Sequence, residues 1–343
     1  MRVFWDEIQL QHTPEFFLQR GRVRPNFEVP ARARALLDGA AALGLAPGTP
    51  PELPESALET VHTRAYLDFL RTAHADWSGI DGAGPEAVAN VHPSPEMLAH
   101  GARPGQSIIA RAGWFTADAA CPIGPGTWAA SLSAARCALA AADEAAAGRT
   151  AYALVRPPGH HAYPARAGGH CYINNAALAA ERLRASGAAR VAVLDIDSHH
   201  GNGTQGAFWE RDDVLFVSIH GDPQSYYPWY VGHSDERGGG DGVGCNVNLP
   251  LVRGSGDGAW LGALETALAV VRRFAPDALV LSLGFDASER EPLNYLAVTE
   301  DGFARAGEQI ATLRLPAAIV QEGGYNTELL GVLLRRFLAA YAP

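Results

Sequence analysis

Short runs of aliphatic and β-branched residues alternate along this chain with longer, Ala-rich stretches. The runs Val3–Trp5, Ala151–Val155, Val191–Ile196, Val214–Ile219, Leu279–Leu283 and Ala318–Gln321 are nearly continuous in apolar residues. That is the pattern of strands buried on both faces. Between them the spacing predicts helices near 31–43, 129–147, 174–186, 258–274, 300–313 and 327–340. The 129–147 stretch is dominated by Ala, the best helix former, and Gly148 is placed to end it. Alternation of this kind predicts an α/β domain with a largely parallel sheet. In such sheets the active site lies beyond the carboxyl ends of the strands, which is where candidate chemistry is sought.

Residues 75–127 break the rhythm with glycines and prolines and show little periodicity. A stretch this long inside a compact domain serves function or a partner surface more often than not, with a mobile linker as the alternative. Trp77, Trp114 and Phe115 weigh against the linker, because a solvated loop has no need of them.

Composition narrows the class. The 343 residues are 48% hydrophobic and 19% charged, an ordinary balance for a folded chain. Lys and Arg number 27 against 37 Asp and Glu, giving 27 − 37 = −10, so there is no general attraction for nucleic acid. No apolar run approaches the ~18 residues of a membrane span. Asp6 and Glu7 interrupt the place where a signal peptide needs its apolar core, so the protein is read as cytoplasmic. Four scattered cysteines without a CxxC exclude a disulfide framework and a Cys-rich zinc knuckle; they read as reduced and mostly buried.

The chemistry gathers at four strand ends. The run Val191–Ile196 leads into Asp195-Ile-Asp197-Ser-His199-His200-Gly-Asn202. Residues i and i+2 of an extended chain face the same way, so Asp197 and His199 point together, a pair suited to a borderline divalent metal such as zinc; a solvated polar turn is the alternative. Leu279–Leu283 leads to Asp286, an isolated carboxylate just past a buried run and a candidate third ligand. Ala151–Val155 leads to His160 and His161 after a rigid Pro-Pro-Gly turn, candidates for acid–base work near neutral pH. Asp195 and Asn202 are available to orient them. Ala318–Gln321 leads to Glu322-Gly-Gly-Tyr325, where a phenol could hydrogen-bond a developing oxyanion or simply pack at a turn.

Taken together, RPPGHHA (156–162), GGHCYINNA (168–176), LDIDSHHGNGTQ (194–205), VSIHGD (217–222), GFDA (284–287) and QEGGY (321–325) resemble the zinc-dependent histone deacetylase family of the arginase/deacetylase superfamily. The matches run from about residue 150 to the end, and FEVPARA (27–33) is similar to the family's N-terminal signature. The resemblance implies one catalytic domain over 1–343, a three-layer α/β fold with a mostly parallel sheet of about eight strands flanked by helices. It implies zinc on Asp197, His199 and Asp286, with iron or cobalt also compatible with such a set. It makes His161 the general base and acid, His160 its electrostatic neighbour held by Asp195, Asn202 the partner of His161, and Tyr325 the group that polarises the substrate carbonyl. It implies a potassium ion near Asp195, Asp197, His199, Ser218 and Ile219. Gly284 stands where binuclear manganese relatives carry a further Asp, which leaves one full metal site.

Within that family the chain looks like the bacterial acetylpolyamine amidohydrolases, whose extra segment at the place of 75–127 helps form a dimer and narrows the active-site tunnel. The expected activity is hydrolysis of an N-acetyl amide to acetate and a free amine, on acetylated polyamines, with peptide or protein acetyl-lysine or another small N-acyl metabolite as alternatives. A homodimer through 75–127 is expected. Gly169, His170 and Tyr227 should line the tunnel. Two departures bear on the substrate. His170 stands where most members carry Phe or Tyr, a wetter and titratable wall. Positions that hold tunnel acids in polyamine-specific members read Phe17 and Ile109 here, and Leu293 offers no charged gate; Asp118, Glu96 and Asp6 are the acids that could replace them. A non-catalytic scaffold member of the family would be expected to lack a ligand, His161 or Tyr325, and none is missing.

Overall fold

The computed structural model describes residues 1–342. In chain order its strands are β1 (Arg2–Phe4), β2 (Phe16–Gln19), β3 (Arg22–Pro25), β4 (Pro47–Gly48), β5 (Ala151–Ala153), β6 (Val191–Asp195), β7 (Val214–Gly221), β8 (Asn246–Leu251), β9 (Ala278–Leu283) and β10 (Ala317–Gln321). Eight of them form one sheet in the order β4-β1-β5-β10-β9-β6-β7-β8. Every pairing in it is parallel. The helices are α1 (Pro30–Ala41), α2 (Arg64–Ser78), α3 (Pro95–Ala99), α4 (Ile108–Phe115), α5 (Thr127–Ala146), α6 (Asn175–Ala185), α7 (Asn202–Phe208), α8 (Asp257–Phe274), α9 (Glu300–Ala311) and α10 (Leu330–Tyr341).

Alternate residues of each strand feed two cores. Tyr152, Leu194, Leu281 and Ile319 meet α1, α8, α9 and α10, through Leu36, Trp260, Phe303 and Phe337 among others. Ala153, Val193, Val280 and Val320 face the small residues of α5 and α6, where Ala at Ala134, Ala138, Ala141, Ala177 and Ala180 lets the helices approach closely. Both faces are covered, which is why the central strands read as unbroken apolar runs. The expected three-layer α/β fold is observed, and its sheet is wholly parallel rather than mostly so. No helix among the described residues is long and apolar enough to cross a membrane.

The predicted strands and helices fall on observed ones with ends shifted by up to three residues. Several elements went unread, the short helices α3, α4 and α7 among them. The short edge strand β4 and the half-polar β8, which contains Asn246, Asn248 and Pro250, lack a continuous apolar run. The hairpin β2–β3 turns at Arg20 (φ 51°) and Gly21 (φ 72°), a two-residue turn with both central φ positive. Helix α2 buries Tyr66, Leu67, Phe69, Leu70 and Ala73 at helical spacing. It runs to Ser78, so the irregular segment begins later than 75, and α3 and α4 lie within it. The segment is packed rather than a mobile linker. Phe115 stacks on Phe69 with centroids 5.0 Å apart, and both join a third core with Tyr66, Ile123 and Tyr172.

Candidate active site

The loops after β5, β6, β9 and β10 leave the same edge of the sheet, and their side chains converge there. The Asp197 and Asp286 carboxylates and the His199 imidazole lie within 4.8 Å of one another, all buried. His199 Nδ1 is 3.2 Å from Asp197 Oδ1 and 3.0 Å from Asp286 Oδ2. Backbone N–H groups fix the carboxylates: Ser198 donates to Asp286 Oδ1 (2.8 Å), Gly323 to Asp197 Oδ2 (2.8 Å) and His199 to Asp197 Oδ1 (2.9 Å). Burial disfavours a charged imidazole at His199, yet Asp286 and Asp197 hold it up to about 9. Two anions and an imidazole gathered at depth at the inner end of a cleft are a donor set that fits zinc. Stacking on Tyr226, centroids 4.5 Å apart at 17°, holds the His199 ring in place.

A second trio, His160, Cys171 and Glu322, is equally close together. It does not fit a metal. Burial pushes the Cys171 thiol well above its ordinary value, and Glu322 is occupied by the N–H groups of Gly159 (2.7 Å) and His160 (3.1 Å).

The two histidines stand side by side, centroids 4.0 Å apart, but differ in partner. His160 Nδ1 donates to Asp195 Oδ2 at 2.9 Å. Burial opposes its charge, but Asp195, Asp197 and Glu322 raise it well above the ordinary imidazole value. His161 Nδ1 donates to Asn202 Oδ1 at 2.6 Å. A carbonyl oxygen can only accept, so Nδ1 carries the hydrogen and Nε2 keeps its lone pair. Burial, then His160 and His199, hold His161 well below the ordinary value, so it is neutral near pH 7.

Tyr325 enters from the glycine turn after β10. Its phenol is pushed well above its usual value by burial and therefore stays a donor. Glu291 accepts from the N–H of Tyr325 (3.0 Å) and of Asn326 (3.0 Å). Arg32, from α1, lies 4.8 Å from the Tyr325 ring centroid and donates to the carbonyls of Gly324 and Glu322. Glu28 bridges Arg32 (2.8 Å) and Arg156 (2.9 Å), all fully buried. Removing one partner from such a set costs about 3–5 kcal/mol. Sequence reasoning gave no role to Glu322, Glu291, Tyr226, Ser198, Arg32, Arg156 or Glu28. Glu322 carried the one usable signal, a carboxylate directly after a buried strand, much as Asp195 ends β6.

The site opens through a cleft of about 1010 Å³. Gly169, His170 and Tyr227 line it, with Phe17, Leu293 and Asp118. Gly169 has φ +52°, and a Cβ there would lie 2.4 Å from His161 Cδ2, so only glycine fits against the ring. His170 is not a wet wall. It is buried, meets Phe17 edge-on at 5.4 Å, and burial holds it down to about 4, so its ring is neutral. Of the three candidate tunnel acids only Asp118 is in the cleft. Its Oδ2 accepts from Tyr227 Oη (2.6 Å) and the N–H of Gly169 (3.1 Å). Asp6 instead accepts from Ser133 Oγ, and Glu96 is exposed and bonded to Ser94 within its own helix end. Ile109 is exposed and outside the cleft. Ser218 and Ile219 lie on β7, where Ser218 is in register with Asp195.

Gly284 has no room for any side chain: a Cβ there would lie 2.0 Å from Asp197 Oδ2.

The sequence profile of the histone deacetylase domain matches residues 26–341. The acetylpolyamine amidohydrolase of Burkholderia pseudomallei is 46% identical over 99% of this chain and 98% of its own. That of Mycoplana ramosa is 38% identical over the whole of both chains. The crystal structure of the acetylpolyamine aminohydrolase from Burkholderia pseudomallei superposes with a TM-score of 0.95, covering 99% of this chain and 98% of that one.

Proposed function

The chain belongs to the histone deacetylase family, and from that membership we propose that it is a zinc-dependent amidohydrolase that removes acetyl groups from acetylated polyamines. The observation that carries the reading is the meeting of Asp197, His199 and Asp286 with the His161–Asn202 pair and Tyr325 at the inner end of one cleft. The full-length likeness to acetylpolyamine amidohydrolases supports the substrate class.

Asp197, His199 and Asp286 would hold the metal, which when bound polarises the scissile carbonyl and acidifies water. His161 takes a proton from the attacking water at Nε2 and returns one to the departing amine nitrogen. Asn202 keeps Nδ1 protonated, so that Nε2 is the atom available. His160, held by Asp195, places positive charge beside the reacting centre. The Tyr325 hydroxyl donates to the oxyanion that develops on the carbonyl, while Arg32 and Glu291 fix its turn. The products are acetate and the free amine.

We also propose a potassium ion beside Asp195, Asp197, His199, Ser218 and Ile219; the carboxylate, hydroxyl and carbonyl oxygens there form a hard donor set suited to it. A cytoplasmic location is supported by four free cysteines. A homodimer through the 75–127 segment is supported by the large apolar side chains that it exposes, Val91, Met97, Leu98 and Ile109. Light scattering on the purified protein should give twice the 36.3 kDa chain mass; a monomer at every concentration removes the dimer.

The activity is tested with zinc-loaded protein on N-acetylputrescine, N-acetylcadaverine and an acetyl-lysine peptide. Turnover of both diamines well above the peptide is expected. Tyr325→Phe should lower kcat by about 10²–10³, the range for one oxyanion donor, with KM little changed. Preference for the peptide would make the protein a lysine deacetylase instead.

A further inference from the structure

The outer part of the cleft is basic in an otherwise acidic chain. Arg20, Arg166 and Arg253 are among the residues that line the cleft, and Asp118 is the one carboxylate side chain among them. That carboxylate is already engaged by Tyr227, Gly169 and Ala120. Among the described residues, none of the three arginines has a carboxylate within 4.0 Å; Arg253 has only the Asn294 carbonyl (3.1 Å) and the face of Tyr295 (4.4 Å). Arg20 sits at the exposed turn of the β2–β3 hairpin, and Arg22 and Arg24 follow on β3, so the hairpin at the mouth adds further positive charge. Arginines with open hydrogen-bonding forks are the groups that recognise carboxylates, and like charges repel a cation arriving at the same place.

Resting on the amidohydrolase reading above, we propose that this mouth selects N-acetyl amines whose far end is anionic, so that carboxylate-tailed amides are hydrolysed in addition to acetylpolyamines and in preference to a matched ammonium-tailed one. The reaction is the same hydrolysis: water adds its oxygen to the acetyl carbon, the C–N bond breaks, and the amine nitrogen takes a proton. The tail is read only at the rim. The deeper wall, with Phe17, Tyr227 and the neutral His170, is uncharged apart from Asp118 and serves the methylenes.

The test compares 6-acetamidohexanoate with N-acetylcadaverine. Each places five methylenes between the amide nitrogen and a terminal carboxylate or ammonium. With zinc-loaded protein at low salt, kcat/KM for the carboxylate should exceed that for the ammonium by about tenfold or more, within the range expected of electrostatic focusing. The ratio should fall as salt screens the rim. In the double variant Arg20→Glu, Arg253→Glu it should drop at least about tenfold or invert, because two attractive charges become repulsive. A wild-type ratio below one, or a ratio indifferent to charge reversal, overturns the proposal and leaves the amidohydrolase reading intact. Hydrolysis of neither compound by the zinc-loaded protein overturns that reading, and the proposal with it.

Discussion

Gly284→Ala should abolish zinc binding and lower kcat/KM on N-acetylcadaverine by at least about 10³, the scale of losing a metal's charge stabilisation. The reason is steric. The added Cβ would lie 2.0 Å from Asp197 Oδ2, 2.5 Å from its Cγ and 2.7 Å from its Cα. Rotating the Asp197 side chain cannot clear a clash that includes its own backbone. The carboxylate is also fixed from two other sides, by the N–H groups of Gly323 and His199. Gly323 is under the same constraint, since a Cβ there would meet Asp286 Oδ2 at 2.3 Å and Asp197 Oδ2 at 2.6 Å. The two glycines are thus the floor on which the Asp197 and Asp286 carboxylates rest. Metal analysis of the purified variant, with circular dichroism to show that it is folded, checks the expectation. An alanine variant that binds one zinc and turns over at the wild-type rate would remove Asp197 from the ligand set.

The sheet was legible because parallel strands covered on both faces leave a signature in single sequences, and β5, β6, β7, β9 and β10 all carry it. β8 does not, because it is an edge strand whose Asn246 and Asn248 are tied to Gln205 across the loop. α2 carries buried Tyr66, Leu67, Phe69, Leu70 and Ala73 at helical spacing, but Arg64, Asp68 and Arg71 interrupt the apolar positions, so no continuous run marks it. The candidate reacting groups were legible for a related reason: they lie in the short loops that follow buried strands, where charged and polar residues clustered after an apolar run are conspicuous. Their supports were not. Arg32 reaches Gly324 across 292 residues, and Arg156 reaches Glu28 across 128. No local pattern encodes such partners; the fold alone brings them together. The same holds for the substrate rim. Arg20, Arg166 and Arg253 lie on three separate loops, and only the closed structure puts them at one opening.

His161→Ala separates the two adjacent histidines. Replacing His161 should lower kcat by about 10²–10⁴, the usual worth of a positioned general base, and leave zinc content and KM near wild type. Three features single it out over His160. Its Nδ1 is committed to a neutral acceptor, Asn202, whereas His160 is committed to the Asp195 carboxylate. Its ring faces the cleft and lies edge-on to Tyr227 at 4.9 Å. It is held neutral by burial and by the positive charge of its neighbour, while His160 is held protonated by the acids around it. A group that is already protonated cannot accept the proton of water, so in the mechanism proposed above His160 stabilises charge and His161 moves the proton. The orientation of His161 depends on Asn202: Asn202→Leu should fall between wild type and His161→Ala, because the ring then loses the acceptor that fixes its tautomer. Single-turnover rates for the two variants and His160→Ala decide the assignment. If His161→Ala kept more than about a tenth of the wild-type rate while His160→Ala was inactive, the proton transfer would belong to His160, because a missing base is worth at least two orders of magnitude.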